Sequence, residues 1–237
     1  VKAFLLAGGL GERLRPLTLT LPKCLVPVNG TPLLEIWLDL CARHGITDVL
    51  LNVSQHPVLV EQHLRQRSGP PHVELRVESA PRGNAGSVRA ERAFVADEKD
   101  FWILYSDMLT DVDLGAMAET HRAHDGVLTM GLFHAPDPHA VGIVDLAPDG
   151  RITGFREKPD IAPSNLANAG IYLARRDLLA CIPAGPIVDF GHHVFPALLG
   201  RMTGHVIEDF ALDIGTPAAL VAAAAAWARH APARRSA

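Results

Sequence analysis

Between Phe4 and Pro32 the chain reads FLLAGGLGERLRPLTLTLPKCLVPVNGTP, an apolar run that breaks into Gly8, Gly9 and Gly11 and continues to Arg13, Arg15 and Lys23. Glycines let a backbone come within hydrogen-bond distance of a phosphate oxygen and adopt positive φ, and nearby cations neutralise a polyanion. At about 4 Å and an effective dielectric near 20, one cation–phosphate pair is worth on the order of 4 kcal/mol before desolvation. Phosphoryl chemistry is catalysed mainly by positioning and electrostatics, so such a loop can act on the reaction as well as grip the ligand. The segment from Leu6 and Ala7 through Gly8, Gly9, Gly11 and Arg13 to Lys23 therefore predicts a nucleotide-phosphate loop. Two other phosphate motifs do not fit. No Gly-Lys-Ser/Thr closes the loop, and Leu14 stands where a dinucleotide fingerprint needs a small residue.

Two aspartates further along suit the same chemistry. Asp107 closes Phe101-Trp102-Ile103-Leu104-Tyr105-Ser106-Asp107, beyond the end of an apolar strand, where open α/β sheets bind ligands. Asp213 stands in Leu212-Asp213-Ile214-Gly215-Thr216-Pro217, again beside apolar residues with a helix start behind it. Alone, either reads as a turn or capping residue. As a pair they suit a hard divalent cation, because Mg²⁺ takes one or two protein carboxylates and leaves its other positions to water and substrate phosphates. The twelve histidines form no metal-ligand pattern, and Asp189-Phe190 reads as a cap outside the site.

The elements that must position these residues follow from periodicity. Apolar strand-like runs at 49–53, 73–77, 101–105 and 127–133 alternate with helical stretches at 32–44, 58–67, 86–94 and 114–124. Thr31 is the expected cap of the first helix, with Pro32 at its first position and Gly45 as its stop. This alternation predicts an α/β fold, a Rossmann-like three-layer α/β/α arrangement with a mixed, mostly parallel central sheet. From Val141 the texture changes to short strands (141–144, 152–155, 171–173) separated by Pro-Asp-Gly and Lys-Pro turns, a smaller hairpin-rich half suited to a second substrate. Helices are expected at 188–199 and 216–228, and residues 231–237 as a tail.

Composition sets outer limits. The 237 residues are 48% apolar and 20% charged, the balance of a globular chain with a substantial core. A net charge of −4 gives no broad basic field, which disfavours nucleic acid as a partner. Cys24, Cys41 and Cys181 are widely spaced and read as unpaired thiols in a reducing compartment. No secretory or membrane-spanning segment is read, so the expected location is the cytoplasm.

The opening string closely resembles the signature of sugar-1-phosphate nucleotidyltransferases, the nucleotide-sugar pyrophosphorylases. It supplies Gly8, Gly9, Gly11, Arg13, Leu14, Pro16 and Thr18, then Pro22, Lys23, Leu25, Pro27, Val28, Gly30 and Pro32. The resemblance covers nearly the whole chain. It implies one catalytic domain over 1–230, with 1–135 mainly nucleotide-binding and 136–230 mainly sugar-phosphate-binding, and without a C-terminal β-helix. It also implies that Asp107 and Asp213 hold Mg²⁺, with Ser106 standing where the family has glycine. Glu157 would meet sugar hydroxyls and Lys158 the sugar phosphate, for which a compact ammonium is well suited. Gly142 would present its backbone to the sugar, and Asn168 both a donor and an acceptor.

The loop Glu78-Ser-Ala-Pro-Arg-Gly-Asn-Ala-Gly-Ser87 corresponds to the family's base and ribose loop, with Arg82 and Asn84 in place of leucine and threonine. Glu78, Gly83 and Asn84 are its nucleotide-side candidates. A carboxylate at 78 could accept from N1–H and the amino group of guanine, a pair absent from thymine; a strand-end surface acid is the plainer alternative. The expected reaction joins a nucleoside triphosphate, GTP favoured, to a mannose- or heptose-type 1-phosphate, with Arg13, Lys23 and Asp107 as the catalytic residues. Thymidylyl, uridylyl and cytidylyl transfer stay open, as does a homodimer. A non-catalytic nucleotide-sugar-binding subunit and a glycosyltransferase using Asp111-Val112-Asp113 are the competing classes.

Overall fold

The computed structural model describes residues 1–234. Its organising strand is the one that precedes the glycine loop. β1 (Lys2–Ala7) buries Ala3, Phe4 and Leu5 completely. A strand inside a parallel sheet is covered on both faces, so its apolar residues run consecutively instead of alternating. A small hairpin follows, β2 (Pro27–Val28) with β3 (Thr31–Pro32), and then α1 (Leu33–Arg43), β4 (Asp48–Val53), α2 (Pro57–Gln66) and β5 (His72–Val77). α3 (Asn84–Ala90) leads to β6 (Asp100–Tyr105), and the short β7 (Met108–Thr110) precedes α4 (Leu114–Ala123).

The second part of the chain adds β8 (Leu128–His134), β9 (Gly142–Leu146), β10 (Ile152–Glu157), β11 (Leu166–Arg175) and α5 (Leu178–Cys181). It closes with β12 (Met202–Val206), β13 (Ala211–Asp213) and α6 (Pro217–Arg234). The sheet order is β10-β9-β11-β6-β1-β4-β5, with β8 against β11 and β12 against β8, nine strands among the described residues. β6, β1, β4 and β5 run parallel; β11 lies antiparallel to β6 and makes the sheet mixed.

Helices cover both faces, and two apolar cores result. Ala3 and Leu5 of β1 face one with Leu34 and Trp37 of α1, Met117 of α4 and Leu220 of α6. Phe4 faces the other, edge-on to Phe94 and Phe101 at 5.5 and 5.8 Å between ring centroids, with Ala85 and Val88 of α3 and Phe190 in the same core. Truncating a fully buried phenylalanine to alanine costs about 3–5 kcal/mol.

Several elements differ from expectation. Thr31 lies in β3 and caps nothing; α1 starts at Leu33, whose amide donates to the Val26 carbonyl at 3.1 Å. The hairpin satisfies a donor that the side chain was expected to satisfy. The run at 171–173 is part of the ten-residue β11, the strand that joins both parts of the sheet. Its register shifts between Asn168 and Tyr172, around Gly170 at φ +70°, which hides its length in the sequence. The helix expected at 188–199 is a π-helical turn over Phe190–Val194 followed by a 3₁₀ turn over Phe195–Leu198, where Pro196 lacks the amide a regular helix would need. α3 likewise ends at Ala90 and gives way to a 3₁₀ turn, Arg92–Val95. Of the expected tail, 231–234 continue α6, and 235–237 lie outside the described residues.

Candidate active site

β1 ends at Ala7 and β6 at Tyr105, side by side in the sheet, so the glycine loop and Asp107 emerge next to each other. Leu14 is fully buried and anchors the loop, while Thr18 Oγ1 donates to the Gly11 carbonyl at 2.7 Å. Gly11 has φ +63°, and a Cβ there would stand 2.9 Å from Thr18 Cγ2, so this turn requires glycine. Upstream, the Ala7 amide donates to Asn52 Oδ1 at 3.0 Å and Ser54 Oγ donates to the Gly8 carbonyl at 2.6 Å. The loop borders a cavity of about 610 Å³ lined by Leu6, Ala7, Gly9, Gly11, Arg13 and Lys23, with Asn84 and Asp107 across it.

The two aspartates come to neighbouring backbone positions because β7 and β13 pair antiparallel, with Asp213 opposite Met108. The Ile214 amide donates to the Asp107 carbonyl at 3.3 Å. Lys23 Nζ lies 3.4 Å from Asp107 Oδ2, and Asp213 Oδ1 accepts from the Gly215 amide. A Cβ on Gly215 would stand 2.9 Å from an Arg13 guanidinium nitrogen, which places Arg13 against this turn. Among the described residues no three His, Cys, Asp or Glu side chains converge on a metal position. Two carboxylates are what a Mg²⁺-type cation shared with phosphates and water requires, so the donor set fits.

A second cavity of about 240 Å³ shares Arg13, Asn84, Tyr105 and Asp107 with the first and adds Gly142, Glu157, Lys158, Asn168, Asp189 and Asp213. Glu157 fits its carboxylate between two glycines: Cβ atoms on Gly142 and Gly191 would approach Oε2 to 3.0 and 2.7 Å. Lys158 holds φ +44°, a costly conformation for a side-chain-bearing residue, and its exposed Nζ lies 3.9 Å from Glu157 Oε1. Asn168 Nδ2 donates to the Tyr172 hydroxyl at 2.8 Å and its Oδ1 accepts from the Gly170 amide at 2.9 Å. Burial raises the pKa of Tyr172 and Tyr105 well above the ordinary phenol value, so both stay neutral.

The nucleotidyl transferase family model matches residues 2–230. The chain belongs to the nucleotidyl transferase family. A mannose-1-phosphate guanyltransferase of Aspergillus oryzae is 35% identical over 224 residues, covering 92% of this chain and 61% of that protein. A mannose-1-phosphate guanylyltransferase of Mycobacterium tuberculosis is 34% identical over 222 residues, 92% of this chain and 62% of that one. The chain thus spans about three fifths of the length of these curated relatives. HddC of Yersinia pseudotuberculosis superposes with a TM-score of 0.81 over 95% of this chain and 99% of its own at 21% identity, a likeness of fold.

Three candidates stand outside both cavity linings. Glu78 and Gly8 lie together, since a Cβ on Gly8 would be 3.4 Å from Glu78 Oε2. Gly83, at φ +74°, lets the loop press on the Val188 carbonyl, which a Cβ would approach to 2.3 Å. Ser106, the departure from the family pattern, lines the larger cavity and donates its hydroxyl to the Leu6 carbonyl at 3.0 Å, which fastens β6 to β1.

Asp111-Val112-Asp113 is structural: Asp111 is buried and paired with Arg43 at 2.8 Å, and Asp113 caps α4 through the amides of Gly115 and Ala116 at 2.8 and 3.1 Å. Tyr105 and Asp189 line the site although no local motif marks them. Tyr105 sits among apolar strand residues, and Asp189 looks like any capping aspartate until the fold brings Asn84 to it. Among the described residues no helix is long and apolar enough to cross a membrane.

Proposed function

We propose that this site transfers a nucleotidyl group from a nucleoside triphosphate to a sugar 1-phosphate, releasing pyrophosphate. The observation that carries the reading is the β7–β13 pairing, which sets Asp107 and Asp213 between a cation-bearing glycine loop and a cavity holding Glu157 and Lys158. In this reading residues 1–135 contribute mainly the nucleotide side and 136–230 mainly the sugar-phosphate side.

A phosphate oxygen of the sugar 1-phosphate attacks the α-phosphorus in line. The new P–O bond forms as the bond to the bridging oxygen of the β-phosphate breaks, and the pyrophosphate leaves with that electron pair. The attacking phosphate already carries charge, so no protein nucleophile is required. Lys23, beside Asp107, neutralises charge on the α-phosphate; Arg13 and the loop amides hold the leaving pyrophosphate; Lys158 orients the attacking group. Members of this family generally use a divalent cation, and Mg²⁺ held by Asp107 and Asp213 would add Lewis-acid charge at the phosphate oxygens. Asn168 retains one amide proton for a sugar hydroxyl, and Glu157 accepts from another.

Guanylyl transfer to a mannose-type 1-phosphate is the preferred specificity. The relatives named above support it, as does Glu78 beside Gly8, where a carboxylate can accept two hydrogen bonds from guanine. The test is pyrophosphate release measured for the common nucleoside triphosphates against a panel of sugar 1-phosphates, with and without Mg²⁺. Release is expected to be greatest with GTP and mannose 1-phosphate and to require the metal. No release from any pair would exclude the reaction.

A further inference from the structure

Asp189 lines the smaller cavity with Glu157 and Asn168, and the reaction above gives it no task. Its setting is closely fixed. Its amide donates to His193 Nδ1 at 3.0 Å, and its carbonyl accepts from the His193 amide at 2.9 Å. From the start of α3, Asn84 Nδ2 donates to Asp189 Oδ1 at 2.9 Å, while Asn84 Oδ1 accepts the amides of Phe190 and Ala85, both at 2.7 Å. Two backbone bonds fasten the same segments: Val188 N to Arg82 O at 2.8 Å and Gly86 N to Val188 O at 3.0 Å.

Asn84 therefore holds one carboxylate oxygen of Asp189 and leaves the other uncommitted. Among the described residues Asp189 forms no ion pair. Gly191 follows, and the side chain it lacks makes room for the Glu157 carboxylate. Two carboxylates on one wall repel a phosphate but accept hydrogen bonds from hydroxyl groups. Their place is consequently at the ring of the sugar, not at its phosphate.

We infer that Asp189 is a further specificity-determining residue, whose carboxylate, positioned by Asn84, accepts a hydrogen bond from one ring hydroxyl of the sugar 1-phosphate. The inference rests on the nucleotidyl-transfer reading. A buried or half-buried hydroxyl–carboxylate bond discriminates strongly, because an analogue lacking the hydroxyl leaves a charged acceptor unpaired.

The experiment uses the full chain with saturating nucleoside triphosphate and Mg²⁺, the sugar 1-phosphate that the wild type turns over best, and its mono-deoxy analogues. D189A is expected to raise KM for the sugar 1-phosphate about 10- to 100-fold and to leave KM for the nucleoside triphosphate within about threefold. One deoxy analogue that the wild type rejects by a similar factor should no longer be rejected by D189A, because both changes remove the same bond. D189N keeps an acceptor for Asn84 and should lie between the two; it decides the matter on the same readouts if D189A does not fold. N84A should raise the sugar KM without erasing the discrimination. An unchanged sugar KM in the Asp189 variants, a parallel rise in both KM values, or equal losses across all deoxy analogues in variant and wild type would overturn the assignment alone. A wild type inactive with every pair would overturn the nucleotidyl-transfer reading and this assignment with it.

Discussion

Lys23 and Asp107, proposed to serve the chemistry, contribute little to stability. Their ends lie 3.4 Å apart, with Lys23 14% exposed and Asp107 42% exposed. An ion pair this open contributes about 1 kcal/mol or less to folding. Asp107→Asn is therefore expected to leave the unfolding midpoint nearly unchanged while lowering kcat for pyrophosphate release by about 100-fold or more, since it would remove one of the two carboxylates proposed to hold the divalent cation. Wild-type turnover in a folded D107N protein would remove Asp107 from the chemistry. Residues of this kind were legible beforehand because their types are unusual where they stand: glycines after an apolar strand, cations in the next dozen positions, an acid at a strand end. Asp189 was not, because what sets it apart is a bond to Asn84, 105 positions away.

At the scale of elements, β11 carries the clearest prediction. Gly170 has φ +70°, and a Cβ there would meet three atoms of Tyr105 at 2.8–2.9 Å. Gly170→Ala is expected to destabilise the protein by about 1–3 kcal/mol in urea unfolding, by combining backbone strain with overpacking against the partly buried Tyr105 ring. A variant as stable as the wild type would show that Tyr105 moves aside at little cost. Asp113→Ala should cost about 1 kcal/mol through loss of the α4 cap, with no effect on turnover. Normal stability would mean that the cap is dispensable, and lost activity would reopen the Asp111–Asp113 segment as a site. Strands β1, β4 and β6 were readable because a buried parallel strand writes a continuous apolar run; the edge strand β5 was readable instead from the alternation of Val73, Leu75 and Val77 with polar residues. β7, β12 and β13 were not: three to five residues long, they owe their pairing to distant partners, and β12 has a glycine at its centre. The true length of β11 was masked by its irregularity at Gly170 for the same reason.

Across the whole molecule, burial decides how the ionisable groups respond to their surroundings. Cys24 and Cys41 are buried, and desolvation pushes both thiols up to about 12, so neither offers a thiolate at neutral pH. A thiol reagent should modify only the partly exposed Cys181 in the native protein and all three after denaturation; rapid native modification of more than one would contradict this burial.

Histidines respond in the opposite sense. His121 on α4 is buried; its Nδ1 is hydrogen-bonded to Thr129 Oγ1 at 2.8 Å, while its Nε2 and Asp100 Oδ1, 3.5 Å apart, form no hydrogen bond. Burial lowers its pKa below the usual 6.5; Asp100 opposes this, while Arg175 and Lys99 reinforce it. His205 on β12 bonds to Thr120 Oγ1 of α4 at 2.8 Å and is shifted the same way by burial, against the pull of Asp113, Asp209 and Glu208. A histidine whose folded pKa lies below its unfolded value favours folding above about pH 6.5, and that contribution disappears as the pH falls through the folded value. Thermal stability should consequently decline from pH 7.5 to pH 5, and the decline should be shallower in a His121→Gln, His205→Gln double variant. A double variant with the wild-type slope would assign the acid sensitivity to carboxylates instead. Because α4, β8 and β12 meet at these two side chains, acid should loosen this side of the sheet before the cleft formed by β1, β6 and β11.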